Sequence, residues 1–187
     1  MKPTRRKWAI LALVLAPVGA AALFLFWMTS QAEAPVAPKR PAAVQNNPNH
    51  ELKELAVQLR KKPGHVPVLM RMAQIEHDQG KLADAAAHLR EAIVSEPANA
   101  DAHLELGRVL YEKGERDEAL KETEQALAVD PKQVDAMYNL GAIHANAGDT
   151  ERALSYWQDV VKSAPESDSG KKARDALARL RGSENRR

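Results

Sequence analysis

Hydrophobic positions change their spacing twice along the 187-residue chain. Residues 8–28 (WAILALVLAPVGAAALFLFWM) form an apolar run without a single charge, residues 32–49 hold few large apolar side chains, and from residue 50 onward apolar positions recur three and four apart. The first pattern predicts a transmembrane helix, because a helix of that length at about 1.5 Å per residue covers roughly the 30 Å of a bilayer's hydrocarbon core. The third predicts amphipathic helices that bury one face. Pro35, Pro38, Pro41 and Pro48 break any helix between them, so 32–49 reads as a Pro-rich linker reaching at most about 55 Å when extended.

The flanks of the apolar run set its orientation. Residues 1–7 carry Lys2, Arg5, Arg6 and Lys7 with no acid, and Trp8 and Trp27 stand at the two ends, where indoles prefer the headgroup boundary. The expected arrangement is a basic cytoplasmic arm, one pass through a bacterial inner (cell) membrane, and a periplasmic or otherwise extracytoplasmic remainder. The alternative is a cleaved signal peptide that releases a soluble secreted or periplasmic binding module, since Ala32-Glu33-Ala34 supplies an A-x-A pattern. Against cleavage stand the length of the run, the bulky Phe24, Phe26 and Trp27 at its end, and Pro35 directly after the site. Ala12, Ala16 and Ala20 form a stripe of small residues, but ordinary alanine content explains it, so the sequence does not argue for homo-oligomers.

The helical region is periodic. Pro63, Pro97, Pro131 and Pro165 are 34 apart, as are Gly80, Gly114 and Gly148, and the columns Ala73/Gly107/Gly141, Met72/Leu106/Leu140, Ala85/Ala119/Ala153 and Ala92/Ala126/Val160 keep the same step. Each unit (66–99, 100–133 and 134–167) reads as a helix, a glycine turn and a second helix ended by proline. A single hairpin of this kind cannot bury its own apolar face and needs a stacked neighbour. Residues 50–62, with Leu52, Leu55 and Leu59 on one face, read as a leading capping helix. Residues 168–182, with Ala173, Ala176, Leu177 and Leu180 on one face, read as a closing one, N-capped by Ser167, Asp168 or Ser169 and followed by Gly182 and a basic tail at 183–187. The expectation is an all-α solenoid of three hairpins and two caps, eight helices beyond the membrane span and no strand.

The period and the Leu106-Gly107 and Leu140-Gly141 pairs resemble the tetratricopeptide repeat (TPR) family, whose pattern is W-x2-L-G-x2-Y, then A-x3-F, then P. The Trp position holds Leu69, His103 and Met137, the Tyr position Glu76, Leu110 and His144, and the Phe position Leu89, Thr123 and Trp157. Glu76 and Thr123 fit least well and are expected to weaken packing locally. The resemblance implies a right-handed solenoid that binds an extended or helical peptide in a concave groove lined by the first helix of each hairpin. On this chain that face comprises Met70, Gln74 and His77, then Asp101, Leu104, Arg108 and Tyr111, then Asp135, Tyr138, Ala142 and Asn146. Met70, Leu104 and Tyr138 share a column and form an apolar rail. The family's carboxylate-clamp positions hold Met70, Gln74, Glu105, Asp135 and Asn139, so its cations are missing. The half-unit ending RKKPGHVPVLMRMAQIEHDQGKLADAAAHLREAI and the KKARDALARL helix are similar to TPR modules of c-type cytochrome biogenesis proteins, which implies a role in c-type cytochrome maturation.

Composition narrows the chemistry. The chain has no cysteine, which excludes disulfides, thiolate metal sites, C-x-x-C-H haem attachment and thiol catalysis. Its six histidines show no H-E-x-x-H spacing; His103 and His144 fall in packing columns. No phosphate loop or nucleophile elbow occurs, so the chain reads as a non-enzymatic scaffold or chaperone with no cofactor and no metal. The net charge of +2 averages unlike parts: the three units hold ten basic and nineteen acidic residues, and residues 170–187 hold seven basic and two acidic. Nucleic acid is therefore not an expected partner, whereas a protein with apolar anchors and some positive charge is.

Overall fold

The computed structural model describes residues 47–184. The arm at 1–7, the apolar run at 8–28, residues 32–46 of the linker and residues 185–187 of the tail lie outside them. Among the described residues there are eight helices and no strand: α1 (Pro48–Lys61), α2 (Val66–Asp78), α3 (Leu82–Ser95), α4 (Ala100–Lys113), α5 (Arg116–Val129), α6 (Val134–Asn146), α7 (Thr150–Ser163) and α8 (Asp168–Glu184). None of these helices is long and apolar enough to cross a membrane.

Local chemistry sets the helix ends. Helix α1 starts at Pro48, inside the stretch assigned above to the linker, because the Asn47 side chain accepts from the Asn49 amide at 3.0 Å and proline suits the first helical turn. Asn99 caps α4 by accepting from Ala102 at 2.9 Å, and Asp149 caps α7 by accepting from Arg152 at 3.1 Å. Of the three cap candidates for α8, Ser167 takes the role: its hydroxyl accepts from the Gly170 amide at 2.9 Å. Helix α8 then runs through Gly182 to Glu184, where a stop was expected, since glycine keeps its amide donor and costs a helix only about 1 kcal/mol relative to alanine.

The three hairpin turns share one geometry. After α4, Gly114 has φ +85°, its amide donates to Tyr111 O at 3.0 Å, and the Glu115 amide donates to Leu110 O at 3.0 Å. The same pair of bonds follows α2 at Gly80 and α6 at Gly148, both left-handed, so the glycine column exists to close a Schellman turn that a side chain would strain.

Packing follows the columns. The small residue of each first helix receives the family's Phe position from the second. Ala73 and Leu89 share one buried cluster, Gly107 lies against Thr123, and Gly141 lies against Trp157. Leu69, Leu89, Leu110 and Leu140 are fully buried, each contributing about 2 kcal/mol of burial free energy. Leu52, Ala56 and Leu59 of α1 pack beside Leu55 on Val68, Met72 and Ile75 of α2.

The two poorest matches to the repeat pattern are accommodated by polar partners. Glu76 is buried, and His88 Nδ1 lies 2.7 Å from its Oε2. Thr123 is fully buried and donates from Oγ1 to Ala119 O at 2.7 Å. His103 is buried between Glu122 Oε2 at 2.7 Å and Pro97 O at 3.0 Å, and buried His144 stacks on Tyr156 at 5.7 Å.

Helix α8 keeps the register of the repeat with a change of residue type. Helix α8 begins 34 residues after α6, so Arg174 and Asp175 stand where Leu140 and Gly141 stand in the preceding unit. Both are exposed, so the face that receives a second helix in each hairpin is charged here.

Candidate peptide-binding groove

Helices α2, α4 and α6 line one side of the array, and three adjoining cavities mark it. The first, about 600 Å³, lies between the first and second hairpins and brings together Met70, Gln74, His77, Asp101, Leu104 and Asp135. The second, about 60 Å³, lies between the second and third and includes Arg108, Tyr111 and Ala142. The third, about 300 Å³, is closed by α8 and adds Tyr138 beside Leu104, Arg108 and Asp135. Asn146 lines none of these but donates from Nδ2 to the Tyr111 hydroxyl at the rim. The sequence-mapped residues thus share one face.

The first and second cavities are the same site one repeat apart. Ala73, Gln74 and His77 in the first correspond to Gly107, Arg108 and Tyr111 in the second; Leu89, Glu105 and Val109 correspond to Thr123, Asn139 and Ile143. A rim contact repeats with them. His77 Nε2 lies 2.8 Å from Glu112 Oε2, and the Tyr111–Asn146 bond joins the corresponding positions of the next pair of hairpins.

The rail is less open than its sequence pattern implies. Met70 and Tyr138 are half-buried, but Leu104 is only 8% exposed because it packs on Ala126 and Ala136. The Tyr138 ring sits 6.3 Å from that of Trp157, tilted by 33°. In the same column the fourth residue is Lys172, which lines the third cavity.

Charge in the groove is internally directed on the basic side. Arg71 meets Glu51 through two bonds, Nε to Oε1 at 2.6 Å and Nη2 to Oε2 at 3.0 Å, and this guanidinium holds the Glu51 carboxyl below the usual carboxylate range. Arg108 donates to Glu105. The carboxylates Asp101 and Asp135 instead accept from neutral groups, Gln133 Nε2 at 2.8 Å and the Ser169 hydroxyl. Glu105 and Asn139, mapped above as clamp positions, also line the groove, and Arg71, Asp130, Gln133 and Lys172 are lining residues that the sequence mapping left out. Asp130 and Gln133 come from the turn between hairpins rather than a first helix, so a search confined to first-helix columns passes over them. Among the described residues no three His, Asp or Glu side chains converge as a metal site would require.

Comparison with known proteins addresses the repeat directly. The family model described as tetratricopeptide repeat matches residues 106–168, and one described as TPR repeat matches residues 73–114. Residues 73–168 are TPR repeats. No curated protein matches the chain in sequence. Among solved structures, a tetratricopeptide repeat protein from Parabacteroides merdae superposes with a TM-score of 0.63 at 20% identity, over 72% of this chain and 54% of that one. A crystal structure of MamA superposes with a TM-score of 0.59 at 21% identity, over 68% of this chain and 77% of that one. The MamA structure from Desulfovibrio magneticus, residue 41 to the end, gives 0.59 at 17% identity, over 65% and 68%. At these identities the likeness is one of fold. The TPR architecture makes the chain a protein–protein interaction scaffold by type.

Proposed function

We propose that the chain is a membrane-tethered, non-enzymatic scaffold or chaperone that holds a segment of a partner protein in its concave TPR groove during bacterial envelope protein assembly. The observation that carries the groove assignment is the convergence of the mapped first-helix residues on three adjoining cavities along one face. The tether rests on the charge-free run at 8–28 and the basic residues before it. The Pro-rich linker then gives the array reach while keeping it near the membrane. Within envelope assembly, c-type cytochrome maturation is the pathway that the resemblance of residues 60–93 and 171–180 supports, with the chain presenting a partner rather than carrying haem, since it lacks cysteine.

Crosslinking in intact membranes followed by identification of the adducts tests the reading. A partner is expected that is captured by the wild-type chain and lost when Leu104→Ala is combined with Tyr138→Ala. Unchanged capture by the double variant overturns the groove assignment. Mass spectrometry of the protein recovered from membranes is expected to find residues 8–28 retained; a mature N-terminus at residues 32–35 overturns the tether and leaves a released binding module.

A further inference from the structure

Two equivalent sites in the groove differ in chemistry. The first is wide, and Asp101, Glu105, Asp130 and Asp135 line it. Arg71 and His77 of the same site are engaged by Glu51 and Glu112, and Glu105 is engaged by Arg108, so among the described residues Asp101, Asp130 and Asp135 are the carboxylates of this site without an ion pair. The second is a cavity of about 60 Å³ with no carboxylate on its lining. Its lining is particular to the second hairpin: where the first and third set a small residue against Leu89 or Trp157, the second sets Gly107 tightly against Thr123, and the cavity opens beside them toward Ala142 and Ile143. Buried polar atoms without a hydrogen-bond partner also gather here, His77 Nδ1 and Gln133 Oε1 at the first site and Arg108 Nε at the second.

We propose that the groove takes an extended segment of a partner protein that places a Lys or Arg side chain in the first site and a small aliphatic side chain, of alanine or valine size, in the second. This rests on the groove being the binding face. Charge complementarity selects the cation: among the described residues Asp101 and Asp135 accept from neutral donors, and although Arg108 and Lys172 line the cavity beside Asp135 neither pairs with it, so a cationic side chain gains the field of the two carboxylates, while an acidic one meets like charge. Volume selects the anchor. A cavity that holds benzene measures about 150 Å³, so a depression of about 60 Å³ suits a methyl or isopropyl group better than a ring. Helix α4 carries Asp101 at the first site and Arg108 at the second, and α6 carries Asp135 and Ala142 likewise; seven residues of helix rise about 10 Å, which an extended chain covers in about three residues. The segment therefore reads cation-x-x-aliphatic along the groove, in one direction or the other.

Fluorescence anisotropy of the full chain in detergent micelles, with labelled peptides in a Gly-Ser background, tests this. The probes are Arg-x-x-Val, Val-x-x-Arg, Glu-x-x-Val, Arg-x-x-Gly and Arg-x-x-Phe. One Arg/Val peptide is expected to bind, to weaken with added salt, and to lose about tenfold or more in affinity on exchange of Arg for Glu or of Val for Phe. Asp101→Asn with Asp135→Asn is expected to remove the preference for Arg over Glu. Thr123→Leu is expected to fill the cavity and abolish the preference for Val over Gly. Should that variant not fold, Ala142→Leu narrows the same hole and gives the same readout. Equal binding of the Glu peptide, or a Val preference that survives filling of the cavity, overturns the proposal; the groove reading stands in that case if Leu104→Ala releases the peptide. Failure of every peptide to bind overturns both. Binding that appears only after Lys39→Ser and Arg40→Ser overturns the external partner, because the occupant is then the chain's own linker.

Discussion

Trp157 Nε1 donates to the carbonyl of Tyr138 at 3.1 Å, and its indole crosses Gly141 so closely that a Cβ on that glycine would lie 2.4 Å from the nitrogen. One side chain thus fixes both the spacing of α6 and α7 and the position of Tyr138 in the groove. Gly141→Ala is expected to force the helices apart and destabilise the array by about 1–3 kcal/mol. Trp157→Phe keeps an aromatic ring but loses the hydrogen bond and the contact of the pyrrole ring with Gly141, at about 1 kcal/mol for the bond alone. Thermal and chemical denaturation of the two variants should rank them in that order; equal stability of Gly141→Ala and wild type would contradict the close approach.

Buried Glu76 and half-buried His88 form a polar pair between α2 and α3 in place of an apolar contact. Removing one partner leaves the other desolvated, so His88→Leu is expected to cost about 1–3 kcal/mol. Replacing both, as Glu76→Leu with His88→Leu, should recover most of that loss. A double-mutant cycle by urea unfolding measures the coupling, and additive effects would show that the two side chains do not depend on each other.

Glu51 and Arg71 tie the leading helix to the first hairpin at the surface. Because the Arg71 hydrogen bond lowers the Glu51 pKa on folding, its contribution is complete above the ordinary carboxylate range and fades as pH falls through the lowered folded value. Exchange of α1 amides is therefore expected to accelerate at acidic pH relative to those of α4 after correction for intrinsic rates. Arg71→Ala should produce the same acceleration at neutral pH and remove its acid dependence. An acid dependence that persists unchanged in Arg71→Ala would assign it to another group.

Arg174 and Asp175 stand exposed where the preceding unit has Leu140 and Gly141. Arg174→Leu with Asp175→Ala restores a face that calls for another helix, and self-association is the expected result. Sedimentation velocity should show larger species for this variant than for wild type under the same conditions. An unchanged distribution would mean that charge at these positions is not what ends the array.

The array was legible in the sequence because its determinants are periodic. The proline, glycine and small-residue columns each report one backbone requirement, and the same requirement recurs every 34 residues. What the sequence could not show are relationships that break the period or join different columns. Glu76 looked like a misfit because His88, twelve residues on in another helix, is no part of the repeat pattern. Thr123 looked like a weak packing residue, and only the shape around it shows a cavity open to the groove. Leu104 looked like a surface anchor, yet Ala126 and Ala136 cover most of it. Asp130 and Gln133 reach the groove through the path of an inter-hairpin turn, which no helical wheel describes.

The rim contacts have a mechanical meaning. His77–Glu112 and Tyr111–Asn146 are successive rungs of one ladder along the concave edge, each joining a hairpin to the next. A hydrogen bond of this kind contributes about 0.5–1.5 kcal/mol net, little more than thermal energy. The hairpins are joined chiefly by buried side chains that they share, Leu89 with Leu106 and Leu110 among them, and the rungs add register at the edge. An occupant that takes over the Tyr111 hydroxyl or the His77 ring therefore replaces one rung and leaves the apolar seam between hairpins in place.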